Sequence, residues 1–168
     1  MANIIGDENT NLLSGGSESD AMFGRGGSDN LTGLGGNDRI YGEEGNDVLI
    51  GGNGNDTISG GNGNDSIYGS SIYSTERQRD ILFGGGGNDK FRLGTSYDVF
   101  YNSNDDSDLA IIEDFQSGAD KIVLFGSSDL YSLDTFGSNT NIYLGGNELI
   151  AIVKSNPNLS FAADIDFV

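Results

Sequence analysis

The sequence has no cysteine and no histidine. The first absence excludes disulfides, thiol nucleophiles and thiolate metal sites. The second removes the imidazole that most general bases and many metal sites use. A Ser-His-Asp triad, an HExxH zinc motif and a Cys/His zinc site are therefore all impossible within these 168 residues. No P-loop is found, so the chain is expected not to be an enzyme. Proline occurs once, at Pro157, in a loop before the final SFAADIDFV, which leaves little room for slow isomerisation. Basic residues are scarce: 8 Lys and Arg stand against 26 Asp and Glu, for a net charge of −18. A chain this acidic is not drawn to nucleic acid or anionic lipid by charge. No long apolar run exists, which excludes a transmembrane helix and any expectation of membrane insertion. The opening MANIIG lacks the basic and apolar regions of a secretory signal peptide. Only 35% of residues are hydrophobic. Low hydrophobicity with high net charge approaches the signature of disorder, so the chain without metal is expected to be largely unfolded.

What is abundant is glycine, 28 residues of it, and it is periodic. From Gly15 to Tyr68 the chain reads in nines: GGSESDAMF, GRGGSDNLT, GLGGNDRIY, GEEGNDVLI, GGNGNDTIS, GGNGNDSIY. Every row opens on glycine and has aspartate at its sixth place: Asp20, Asp29, Asp38, Asp47, Asp56 and Asp65. The eighth place is always a large apolar residue: Met22, Leu31, Ile40, Leu49, Ile58 and Ile67. A fixed short period means a stacked repeat. Places seven to nine alternate outward, inward, outward, as a short strand does. Places one to six form a tight turn whose glycines allow positive φ and close backbone approach. Two rows make one coil of about 18 residues, so alternate rows stack on the same side.

Stacking sets Asp20 over Asp38 and Asp29 over Asp47, and so on along both edges. Parallel strands lie roughly 4.8 Å apart. Two bare carboxylates at about 5 Å repel by roughly 3 kcal/mol at an effective dielectric near 20. Repeated along two edges, this opposes stacking. A hard divalent cation between the turns reverses the sign. Turn carbonyls and carboxylates offer oxygen only, which suits calcium with its six to eight oxygen ligands better than the stricter, smaller magnesium.

These rows resemble the GGxGxDxUx nonapeptides of RTX (repeats-in-toxin), hemolysin-type calcium-binding proteins, and GGNGNDTIS and GGNGNDSIY match at every fixed place. The resemblance implies an all-β fold, a calcium-bound parallel β-roll. It also implies that the carbonyls of places one and three and the Asp at place six face one ion. Carbonyls of places two and four and the next Asp on the same side meet that ion from above. The implied calcium ligands are Gly15, Ser17 and Asp20, then Gly24, Gly26, Gly27 and Asp29. The third and fourth rows supply Gly33, Gly35, Gly36 and Asp38, and Gly42, Glu44, Gly45 and Asp47. The fifth and sixth supply Gly51, Asn53, Gly54 and Asp56, and Gly60, Asn62, Gly63 and Asp65.

Departures from the pattern carry their own expectations. Residues 4–14 look like a decayed first row, with Asn11 in the aspartate place and Leu13 inward. Glu18 stands where row one should have a fourth-place glycine and is expected to strain that turn. Arg25, Leu34 and Glu43 replace second-place glycines. After Tyr68 the phase breaks. Gly69 opens a row whose next fitting aspartate is Asp80, before Ile81 and Leu82, so an insertion lies at about 70–79. It contains Arg77 and Arg79, and reads as a surface loop or, alternatively, as a partner-binding loop or clamp. GGGGNDKFR restores the phase with Gly84, Gly86, Gly87, Asp89 and Phe91. LGTSYDVFY (93–101) is a last degenerate row with Asp98 and Phe100. Phenylalanine at the inward place suggests a core that widens. The ninth-place aromatics Phe23, Tyr41, Phe83 and Tyr101, with Tyr68 on the other face, are expected to point outward.

Beyond an acidic linker at 102–108, LAIIEDF (109–115), DKIVLF (120–125), TNIYLG (140–145) and ELIAIVK (148–154) read as ordinary strands. Gly145-Gly146-Asn147 signals a hairpin between the last two. AIIEDFQSGADKIVLF resembles the segment after the β-roll in serralysin-type secreted proteins, which implies a further calcium near Asp114 and Asp120. A turn in which these aspartates cap backbone amides fits the same residues. The terminal Asp166-Phe167-Val168 resembles the signal read by type I (ABC-transporter) secretion systems. The reading divides the chain into a roll, 1–103, and a capping and secretion-signal region, 104–168. It expects a secreted, extracellular module that folds on binding several calcium ions. Two alternatives remain: a calcium-dependent adhesive protein that binds a surface glycan or surface layer, and the C-terminal part of a larger secreted enzyme.

Overall fold

A computed structural model describes residues 1–70, 77–94, 101, 108–156 and 158–168. Most of the expected insertion, Asp98, Phe100, most of the acidic linker and Pro157 lie outside the described residues.

Each nonapeptide contributes one strand. In chain order these are β1 (Asn3–Ile5), β2 (Leu12–Ser14), β3 (Ala21–Gly26), β4 (Asn30–Gly35), β5 (Arg39–Glu44), β6 (Val48–Asn53), β7 (Thr57–Asn62), β8 (Ser66–Ser70), β9 (Arg79–Gly86) and β10 (Lys90–Arg92). Then follow β11 (Leu109–Ile112), β12 (Lys121–Leu124), β13 (Tyr131–Phe136), β14 (Asn139–Leu144), β15 (Glu148–Val153), a short helix α1 (Phe161–Asp164) and β16 (Ile165–Phe167). Odd strands form one sheet, in the order β1-β3-β5-β7-β9-β11-β15, with β14 and β13 added at its end. Even strands form the other: β2-β4-β6-β8-β10-β12-β16. Neighbours are parallel throughout, apart from the antiparallel β13–β14–β15. Two sheets wound from one chain, strand by alternate strand, make a parallel β-roll.

Register follows the eighth place. One ladder runs Ile4, Met22, Ile40, Ile58, Leu82, Ile112, Val153. The facing ladder runs Leu13, Leu31, Leu49, Ile67, Phe91, Ile122, Ile165. From Met22 to Phe91 these side chains are fully buried. Burying one Leu or Ile is worth about 1.5–3 kcal/mol, so each row contributes one such increment to a core one side chain deep. The core widens where Phe91 meets Phe115, with ring centroids 6.1 Å apart. Leu93, Leu124, Ile142 and Ile150 join it there.

The strands expected beyond residue 108 extend the two sheets. β11 pairs with β9 and β12 with β10 in the same parallel sense. The hairpin at Gly145-Gly146 joins β14 to β15, and β13 forms a further hairpin that the sequence pattern did not suggest. The Ser160 side chain caps α1 by accepting from Ala163 N at 3.2 Å. β16 then places Ile165 on the end of the inner ladder.

Two expectations are corrected. Phe23, Tyr41, Phe83 and Tyr68 do lie half-buried on the outside, but Tyr101 is buried, at 2% exposure. Its row, LGTSYDVFY, lacks the first- and fourth-place glycines that set the phase of the other rows. The strained positions are also elsewhere than Glu18, whose φ is not positive. They are Arg25 (φ 76°), Leu34 (77°) and Glu43 (74°), at the second place of their rows. The second and fourth places carry the left-handed turn from row two onward, and row one departs from it.

Candidate metal sites

The turn geometry follows from the glycines. At the first place, a Cβ on Gly33 would overlap Asp38 Oδ2 and come within 2.6 Å of the Gly51 carbonyl oxygen, one coil further on. The same crowding recurs at Gly24, Gly42, Gly51 and Gly60. Only glycine leaves this space open, and its walls are a carboxylate oxygen and a carbonyl oxygen.

The aspartates form two continuous ladders. On one edge Asp20 N donates to Asp38 Oδ1 (2.7 Å), Asp38 N to Asp56 Oδ1 (2.7 Å) and Asp56 N to Asp80 Oδ1 (2.8 Å). On the other, Asn11 N donates to Asp29, Asp29 N to Asp47, Asp47 N to Asp65, Asp65 N to Asp89 and Asp89 N to Asp120. Every carboxylate therefore spends Oδ1 on the amide of the preceding coil. The remaining oxygen, Oδ2, is buried without any hydrogen-bond partner at Asp29, Asp38, Asp47, Asp56, Asp65 and Asp89. An unpartnered buried carboxylate oxygen is among the more costly features a protein can carry.

Titration reflects this. Loss of hydration, with lesser repulsion from neighbouring aspartates, pushes Asp56 up to about 8, Asp65 to about 7 and Asp89 to about 6. The same desolvation raises Asp38, Asp47 and Asp120. Asp20 at the open end is lowered, chiefly by the Ala2 amide, and its Oδ2 already accepts from Gly16 N at 3.0 Å. Desolvation also pushes Asp80 to about 7, although the Tyr101 hydroxyl donates to its Oδ2 at 2.6 Å.

The residues fit a hard cation. Among the described residues no three acidic side chains converge on one point. The available donors are lone carboxylate oxygens and backbone carbonyls, an oxygen-only set suited to calcium. The two C-terminal candidates are placed differently from one another. Asp114 accepts from Gly84 N (2.8 Å) and Gly85 N (2.9 Å), which is the amide-capping arrangement. Asp120 continues the aspartate ladder while its Oδ2 takes Gln116 N at 2.8 Å. Glu44 carries its side chain outward to Asn62 Nδ2 at 2.8 Å, so only its backbone belongs to the turn.

One set of residues went unread in the sequence. The fifth-place side chains form an outer ladder: Asn55 N donates to Asn37 Oδ1, Asn64 N to Asn46 Oδ1, Arg79 N to Asn55 Oδ1 and Asn88 N to Asn64 Oδ1. The signal was present as the asparagine before Asp38, Asp47, Asp56, Asp65 and Asp89.

The chain matches the RTX calcium-binding nonapeptide repeat (4 copies) over overlapping stretches that together span residues 5–71 and 74–100. The likeness of 110–125 to serralysin-type proteins lies beyond that match. No curated protein sequence matches the chain. Among 29 similar solved chains is the solution structure of the AlgE6R3 subunit from the Azotobacter vinelandii mannuronan C5-epimerase. It is 22% identical, covers 96% of this chain and 80% of its own, and has a TM-score of 0.43. With the repeat matched over more than half its length and its aspartates laddered inside a two-sheet roll, the chain belongs to the RTX calcium-binding nonapeptide repeat family and binds calcium.

Proposed function

We propose that this is a calcium-triggered folding module, exported unfolded by a type I secretion system and folded outside the cell. The carrying observation is the set of six buried Oδ2 atoms without partners, at Asp29, Asp38, Asp47, Asp56, Asp65 and Asp89. The first five face a glycine-only space walled by oxygen, and Asp89 Oδ2 faces the one at Gly84, which Phe91 also borders. Calcium there supplies the missing positive charge. The first-, third- and sixth-place residues of one coil, with the second-, fourth- and sixth-place residues of the next, would hold it. Extracellular calcium modules bind at about 10⁻⁴–10⁻³ M, above cytosolic calcium. Inside the cell the carboxylates therefore stay bare and the chain stays extended. Outside, binding and folding are one event, because the site does not exist in the unfolded chain.

Residues 104–168 act in this reading as the cap. Support comes from β11 and β12, which lay Ile112 on Leu82 and Ile122 on Phe91. The terminal strand β16 then closes one sheet. Among the described residues no helix is long and apolar enough to cross a membrane. A glycan-stacking face draws little support: Phe23 and Tyr41 stack on one another, centroids 5.1 Å apart and planes within 10°, so one face of each ring is already used. The module also suits the C-terminal part of a larger secreted enzyme, to which it would contribute folding and not chemistry.

Equilibrium dialysis of the full chain tests the proposal. Several calcium ions per chain are expected at millimolar concentration, with magnesium failing to replace them. A chain that takes up no calcium, or binds magnesium equally well, contradicts it.

A further inference from the structure

The two aspartate ladders end in different ways, and one ending has an unusual chemistry. Along both edges the first-place glycine, the sixth-place Oδ2 and the first-place carbonyl of the next coil surround one point. A Cβ on Gly51 would overlap Asp56 Oδ2 and the Gly69 carbonyl oxygen. One on Gly60 would overlap Asp65 Oδ2 and reach the Gly84 carbonyl oxygen at 2.5 Å. At Gly69 the carboxylate oxygen is still present, Asp80 Oδ2 at 2.6 Å, but the nearest atoms no longer include a carbonyl. The Tyr101 hydroxyl oxygen stands in its place.

The exchange changes the electrostatics of the seat. A carbonyl and a carboxylate are both acceptors and need a cation between them. A phenol carries its own proton, and Tyr101 donates it to Asp80 Oδ2 at 2.6 Å. The pair is complete without an ion. Asp80 is fully buried and Tyr101 is 2% exposed, so water does not take over the role. Asp80 keeps Oδ1 on Asp56 N and is the last aspartate of this ladder among the described residues. Tyr101 holds a left-handed φ of 46°, a conformation a non-glycine residue adopts only when its surroundings enforce it. On the opposite edge the ladder stops at Asp120 through a backbone donor, Gln116 N.

We infer that Tyr101 is a built-in terminator of one calcium row: its hydroxyl fills the seat beyond Asp80 that an ion would otherwise occupy. The inference rests on the calcium reading above and says where that row of ions ends. Without the hydroxyl, Asp80 Oδ2 becomes a seventh bare oxygen beside those at the six other aspartates.

The test compares full-length wild type, Tyr101→Phe, Asp80→Asn and the double variant Asp80→Asn/Tyr101→Phe. Bound calcium is counted by equilibrium dialysis, and the calcium midpoint of folding is read by far-UV circular dichroism. Tyr101→Phe keeps the ring and removes only the oxygen. It should bind the same number of ions as wild type, or one more where calcium enters the vacated seat. Its midpoint should rise about twofold, the effect of one lost charge-assisted hydrogen bond spread over several ions. Asp80→Asn alone should raise the midpoint by weakening the seat shared with Asp56, and adding Tyr101→Phe to it should raise it no further, since a neutral amide needs no such donor. Loss of one calcium in Tyr101→Phe would make the phenol an ion ligand and overturn the inference, as would an unchanged midpoint. If Tyr101→Phe does not fold, a double variant that folds at the Asp80→Asn midpoint supports the inference, and one that fails where Asp80→Asn folds overturns it. Wild type without calcium would instead sink the underlying calcium reading.

Discussion

Asp56 displays the logic of a single residue in this molecule. Its Oδ1 holds the Asp38 amide and its Oδ2 holds nothing. Asp20 has both oxygens on amides, those of Ala2 and Gly16, and lies at the open end. Asp56→Asn should therefore cost about 2 kcal/mol of folding free energy at fixed calcium, and Asp20→Asn clearly less. Calcium titrations of the two variants, followed by circular dichroism, check this; equal shifts contradict a continuous stack of sites. Proton linkage gives a second prediction. Asp56, Asp65 and Asp89 ionise near the usual 3.8 in the unfolded chain and at about 8, 7 and 6 in the metal-free fold. The metal-free fold thus binds more protons than the unfolded chain. The stability this confers is fully present below about 3.8 and is lost as pH rises through 6 to 8. In chelator, β signal should grow as pH falls from 8 to 5. A chelated chain that loses structure over that interval contradicts the assignment of bare buried carboxylates.

At the scale of elements, the proposed function makes the coils depend on what covers them. Ordering a residue costs about 1–2 kcal/mol in backbone entropy, and each nine-residue row buries one large apolar side chain in return. β11 and β12 cover β9 and β10 and bury Leu82 and Phe91. A chain cut after Asn102 should stay disordered in millimolar calcium, or fold only at much higher calcium, by far-UV circular dichroism. Folding at the wild-type midpoint would show that residues 109–168 do not support the roll. The coils that keep the 18-residue spacing were legible in the sequence, because one period fixes turn, ladder and inward residue together. Past the insertion the spacing between laddered partners becomes 24 residues and then 31, as from Asp89 to Asp120. Strand pattern alone identified β11 and β12 there, but not that they pile onto the same sheets. Tyr101 was placed outward by carrying the phase through a row without its first- and fourth-place glycines, where phase no longer dictates direction. The asparagine ladder was hidden for another reason: an asparagine in a polar turn looks solvated until its neighbour one coil away is known.

For the whole molecule, charge and shape pull against each other until a cation is present. A net charge of −18 spread over 168 residues favours an extended chain. The roll does the opposite, drawing aspartates into two rows beneath the surface, where Asp29, Asp38, Asp47, Asp56, Asp65 and Asp89 are each about 1% exposed. In the proposed function, calcium binding and folding are then a single equilibrium, and the calcium concentration decides which state exists. The direct measurement is a far-UV circular dichroism titration of the full chain at neutral pH, begun in chelator. The account predicts a disordered spectrum in chelator and a cooperative gain of β signal by millimolar calcium, with magnesium at the same concentration having little effect. A complete β spectrum in chelator, unchanged by calcium, would contradict it.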